Sequence, residues 1–399
     1  MQTEMLLWFI FTVIGVLVGS ICFALSVAED YLTEIKIWVM QYFMALNHTE
    51  GAIFTAFGFY VIYSIILSSL AAVLTVYFAP GAAGSGIPEL MGVLNGVKYK
   101  NIFTKRVLVV KIVGVILAVS GTLCVGKEGP LAHIGAIVAI LCLEAPLKCL
   151  AQFQTDIKKR EFAAAGVSAG VAVAFGAPIG GALFAYEMST PNTFWTFNLL
   201  WRNFFCSAVS TFVLGILTSL WNNNPVTLSD AAVLKFGIMP EEHPIPLYEL
   251  SGAVIIGFIC GIMGAIFIRV NIGLLKLRKK TVKRSWQKVL EVSLFAALTS
   301  MTFFMISLTL NKCIPKSDPI FPFYHNLRCT EREYSPMATL FFNTEGGTIR
   351  SLLSKAVTLN IYETTAFMLA WAVLFFTTYG VTVPSGVFLP GIIIGLAVG

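Results

Sequence analysis

The sequence predicts an all-α, polytopic membrane protein, and three observations carry that reading. Charged residues make up 12% of the 399, about half the share in a soluble domain, and mean hydropathy is +0.82. Uncharged apolar windows run from Met5 to Ala28, Gly51 to Ala79, Phe162 to Tyr186, Val292 to Leu310 and Thr364 to Gly399. About 20 such residues cross a bilayer, so several windows are spans and the last holds more than one element. Finally, Gly84-Ser85-Gly86-Ile87-Pro88, Gly126-Lys127-Glu128-Gly129-Pro130 and Gly386-Val387-Phe388-Leu389-Pro390 each place Gly and Pro ahead of an apolar run. Chance supplies roughly one Gly-x-x-x-Pro in a chain of this composition. The weight lies in context, because Gly permits close backbone approach and Pro suits a first helical turn. Helices broken in this way present free amides at membrane depth, which is how membrane proteins hold a dehydrated anion.

Taken in order, the first window lacks a basic leader and is too long for a signal peptide, so it reads as a span. Asn47-His48-Thr49 is a glycosylation sequon between the first two spans, with Asn47 the acceptor if that loop is extracytoplasmic. After Gly84 to Pro88 come Asn95-Gly96 and a basic cluster of Lys98, Lys100, Lys105 and Arg106. The run from Val107 to Val125 carries only Lys111 and leads into Lys127-Glu128. Ionised side chains at membrane depth face a pathway or a partner. Glu128 falls where a helix points its free amides, so it either caps that helix or competes there with a permeating anion. Gly and Ala crowd Phe162 to Tyr186, the composition of helices packed against other helices rather than lipid.

The net charge of +6 does not indicate nucleic-acid binding. Its largest block, Lys276, Arg278, Lys279, Lys280, Lys283, Arg284 and Lys288, contains no acid and lies between hydrophobic spans. The positive-inside bias puts it in the cytoplasm as a solvated loop. The loop with Asp230, Glu241, Glu242 and Glu249 is then outside, as is the polar segment from Asn311 to Asn343. Cys313 and Cys329 in that segment meet an oxidising environment, and a disulfide is expected. Cys22, Cys124, Cys142, Cys149, Cys206 and Cys260 sit in or beside apolar segments as small core residues. No metal-ligand spacing occurs among them, the four histidines are scattered, and Gly126 to Pro130 lacks phosphate-loop spacing. Neither an enzyme nor a cofactor is expected.

The three Gly/Pro stretches resemble, in order, the anion-site signatures of the CLC chloride channels and transporters. Phe175-Gly176-Ala177-Pro178-Ile179-Gly180-Gly181-Ala182-Leu183-Phe184 is similar to a fourth signature of that family. The resemblance covers essentially the whole chain. Asn95-Gly96, Lys127 before Glu128 and the paired-cysteine loop are most similar to its intracellular, endolysosomal branch. It implies an inverted-repeat bundle of tilted and broken helices, a homodimer with one pore per subunit, and chloride as the transported ion. It assigns chloride binding to the Ser85 hydroxyl and the Val387 and Phe388 amides, and gating to Glu128. Gly84, Gly86, Ile87, Pro88, Gly126, Lys127, Gly129, Pro130, Gly386 and Pro390 would shape the backbone around them. A pore tyrosine and a cytoplasmic CBS pair would lie beyond Gly399, so residues 1–399 are expected to form a single, incomplete transmembrane domain. Any accessory subunit is left open. One departure matters: Met188 stands where proton-coupled members carry a glutamate. The expectation is therefore passive, voltage-gated chloride conduction. Chloride/proton exchange is the alternative, and a non-conducting membrane subunit or fragment is the rival of another class.

Overall fold

The computed structural model describes residues 2–46, 50–146, 148–189, 195–222, 247–318 and 321–399. Asn47, Asp230, Glu241 and Glu242 lie outside the described residues, as does the side chain of Cys149. The first half of the chain forms α1 (Gln2–Leu46), α2 (Glu50–Val73), α3 (Ile87–Leu94), α4 (Lys105–Ser120), α5 (Glu128–Leu143), α6 (Asp156–Phe175), α7 (Pro178–Ser189) and α8 (Phe197–Trp221). The second half forms α9 (Leu247–Thr281), α10 (Ser285–Thr309), α11 (Pro336–Phe342), α12 (Glu345–Leu353), α13 (Ile361–Thr378) and α14 (Phe388–Val398). A π-helical turn, Leu74–Phe78, and a 3-10 turn, Pro80–Ala82, carry α2 down toward Gly84. A two-residue ladder pairs β1 (Ile314–Pro315), inside the loop that the Cys313–Cys329 disulfide closes, antiparallel with β2 (Glu333–Tyr334), just beyond that loop.

Six of these helices are long and apolar enough to cross a bilayer by length and composition. The windows anticipated α1, α2, α10 and α13 and left out α8 and α9. Arg202 interrupts the apolar run of α8, but that guanidinium reaches Glu4 of α1 at 2.7 Å and is neutralised there. The window Phe162 to Tyr186 is not one crossing. Gly176 takes a left-handed φ of 66°, ending α6, and Pro178 opens α7 two residues on. The final window likewise divides into α13 and α14.

Small residues decide how the elements around the broken helices meet. A Cβ on Gly135 of α5 would lie 2.1 Å from the Gly166 carbonyl oxygen of α6, and one on Gly166 would lie 2.2 Å from that of Gly135. The two backbones touch, as close packing in lipid requires. Elsewhere the core is aromatic. Tyr60, Phe303, Phe304, Phe341, Phe342 and Trp371 fill the space between α2, α10, α11 and α13.

Charged groups tie down the helix ends at the basic surface. Arg278, near the end of α9, donates to the Tyr379 and Thr377 carbonyls at 2.6 and 2.5 Å and to Glu291 at 2.6 Å. It thereby satisfies the orphan carbonyls of α13. Lys98 pairs with Asp156 at 3.1 Å; its hydrogen bond and charge hold that exposed carboxyl below its usual range. Cys22, Cys124 and Cys206 are buried, and Cys142 and Cys260 half-buried.

Candidate functional site

The three Gly/Pro stretches, which begin at Gly84, Gly126 and Gly386, converge on one place. The Gly126 amide donates to the Gly386 carbonyl at 3.0 Å, and the Gly386 amide returns to Gly126 at 2.7 Å. Gly84 joins them, donating to Val383 at 2.9 Å and accepting from Ser385 at 3.3 Å. Three short helices start here: α3 of eight residues, α5 of 16 and α14 of 11. None of the three is a full crossing, so each begins inside the protein with its first amides free. Pro130 and Pro390 are third in their helices and Pro88 is second. All lie in the first turn, where a missing N–H is no loss.

Backbone conformation at this junction excludes larger residues. Gly86 has φ 78° and caps α3, and a Cβ there would lie 2.1 Å from the His133 Nδ1. A Cβ on Gly129 would lie 2.8 Å from that of Ser85. Ser85 is buried, and its Oγ accepts from the Ile87 amide at 3.3 Å. The Tyr379 side chain is hydrogen-bonded to Ser85.

Glu128 is the first residue of α5 and only 2% exposed. Its carboxylate takes hydrogen bonds from its own amide and from that of Leu389 at the start of α14. Oε2 has no partner and lies against the Gly126 backbone. The carboxylate thus occupies the amides of two helix starts at once. Phe388, first in α14, sets its ring edge-on to Phe175 and Phe184, with both centroids 6.1 Å away. Val387 precedes it as the helix cap.

Energies say what such a junction can do. Moving a bare ion into low dielectric costs on the order of 20 kcal/mol in an idealised Born picture. A helix start returns about 2 kcal/mol at best, whereas each hydrogen bond to a charged group adds roughly 1.5–3 kcal/mol. An anion placed here would therefore need amides and a hydroxyl, and the balance of these energies would leave it weakly bound.

Other sequence-singled residues lie apart from the junction or turn away from it. Lys127 directs its ammonium to Glu29 of α1 at 2.5 Å, and both side chains are almost completely buried. Met188, near the end of α7, is 4% exposed; its carbonyl accepts from the Asn95 side chain at 3.1 Å. Glu187 beside it faces the surface. Four residues that the sequence reading did not mark belong here: Glu29, Tyr379, Glu345 and, beneath Gly86, His133, which Lys111 meets at 2.8 Å. A glutamate just past Ala28, the edge of the first window, was a readable signal for Glu29, since a charge inside a span needs a partner. Nothing local marks Tyr379 or Glu345.

Similarity to known proteins is extensive. A family model described as voltage gated chloride channel matches residues 67–399. The H(+)/Cl(-) exchange transporter 7 of Mus musculus is 33% identical over 98% of this chain and 50% of that protein. Chloride channel protein CLC-d of Arabidopsis thaliana is 31% identical over 98% of this chain and 52% of its own length. The chain spans about half the length of these curated relatives. The fold is shared with a eukaryotic CLC transporter, at TM-score 0.67 and 21% identity over 98% of this chain and 58% of that one. It is shared too with a slow cyanobacterial Cl-/H+ antiporter, at TM-score 0.72 and 20% identity over 98% and 78% of the respective chains.

Proposed function

The chain belongs to the voltage gated chloride channel family, and from that premise we propose that it moves chloride across a membrane in exchange for protons. One observation carries the reading: the Glu128 carboxylate holds amides from both α5 and α14. Chloride needs those same amides, so anion and carboxylate exclude one another. Protonation removes the carboxylate's charge and its claim on them, which links proton uptake to chloride occupancy. Ser85, Val387 and Phe388 are the chloride-binding groups in this reading, and Glu128 is the gate. The names of the mouse relative, an H(+)/Cl(-) exchanger, and of the cyanobacterial antiporter favour exchange over the passive conduction that residue 188 alone suggests. A homodimer in an intracellular, endolysosomal membrane, each subunit with its own pathway, completes the proposal.

A second reading has its own observation. Met188 offers no titratable group, and exchange then requires an inner proton route that avoids this side chain. Passive conduction requires none. The reversal potential of the full-length protein across a pH gradient separates the two. A potential that moves with the proton gradient supports exchange; one that follows chloride alone overturns it. Met188→Glu is expected to leave chloride flux intact.

A further inference from the structure

We propose that Glu345 is the proton-exchanging acid on the outer side of the gate, handing protons to Glu128 and taking them back. Glu345 opens α12, which follows the disulfide-closed outer loop after β2 and α11. It is 5% exposed, and neither carboxyl oxygen has a hydrogen-bond partner. Its helix packs against α14, whose Leu389 amide holds the Glu128 carboxylate, and Glu345 feels the charges of Glu128, Glu29 and Lys127.

Lys127 is the cation whose charge reaches Glu345, and it is engaged elsewhere. Lys127 is committed to Glu29 at 2.5 Å, and Asp30 also acts on that lysine. The Cys124 thiol is the further titratable group that feels Glu345. The helices packed on α12, α11 and α14, contain no titratable residue. On α12 itself, Arg350 lies over the Phe323 ring at 5.3 Å. A buried carboxyl with no donor, facing two other acids, favours its neutral form. Such a group can store a proton beside the gate.

The step balances simply. When the Glu128 carboxylate leaves the amides, the Glu345 O–H bond breaks and an O–H bond forms on Glu128. The negative charge moves to Glu345, which is reprotonated from the outer solution. This proposal rests on Glu128 being the gate, but not on fixed exchange stoichiometry.

The test is chloride flux through the full-length protein in liposomes, with outer pH varied at constant inner pH and then the reverse. In Glu345→Gln the outer-pH dependence is expected to flatten, while the inner-pH dependence stays as in the parent. Glu345→Asp should restore it with a displaced midpoint. If Glu345→Gln does not fold, Glu345→Asp carries the test, and a displaced outer midpoint supports the proposal. An unchanged outer-pH profile in either variant overturns it, as does an equal change in both profiles, which marks a merely structural role. A parent reversal potential that follows chloride alone would sink exchange and leave these outcomes fully informative.

Discussion

The starts of α5 and α14 share one backbone and differ in chemistry. Lys127 caps α5 with φ −105° and ψ −14°; Val387 caps α14 with φ −106° and ψ −17°. Each follows a glycine, and the two glycines exchange a pair of hydrogen bonds. The junction is therefore locally two-fold symmetric, as expected of inverted repeats. On one side of that symmetry stand Lys127 and Glu128, and on the other Val387 and Phe388. The shared geometry leaves the first amides of each helix without intrahelical partners. The difference supplies a charged lid to one helix and an aromatic wall to the other.

Removing the charge on the α5 side should have the largest effect. Lys127→Met leaves Glu29 buried without its cation, and breaking such a pair costs about 3–5 kcal/mol. We expect a fall in thermal midpoint well beyond that of Val387→Ala at the matching position. Glu29→Met combined with Lys127→Met should recover most of the loss, as thermal unfolding in detergent will register. Equal effects of Lys127→Met and Val387→Ala would deny the asymmetry.

Glu128→Ala comes next. It removes a competitor held by hydrogen bonds worth roughly 1.5–3 kcal/mol each. Chloride conductance at neutral pH should rise by about tenfold or more, with its pH dependence lost. Flux and gating unchanged in this variant would take Glu128 out of the role.

The smallest expected change is Phe388→Ala at the symmetry-related position. It loses two edge-on ring contacts worth about 0.5–1.5 kcal/mol each. Stability should drop modestly while the pH dependence of chloride flux persists, because the ring carries no charge. A lost pH dependence here would mean that the lid is shared between the two sides.

Much of this arrangement was readable from sequence because its causes are local. Gly ahead of Pro starts α5 and α14 inside the protein. Two readings failed for an equally physical reason. Arg202 disguised α8, since its neutralising Glu4 is 198 residues away. The Phe162 to Tyr186 window looked like one crossing because hydropathy does not register a reversal of direction.

By itself the sequence determined that the chain is a membrane bundle and which stretches could offer amides to an anion. Hydropathy and backbone preference act between neighbours and need no knowledge of the fold. Only the tertiary structure decided that Lys127 serves Glu29, that Tyr379 reaches Ser85, and that both carboxyl oxygens of Glu345 are buried without a hydrogen-bond partner. Those relations depend on which groups lose water together. Burial sets the cost of a charge, and the partners that offset it can come from any part of the chain.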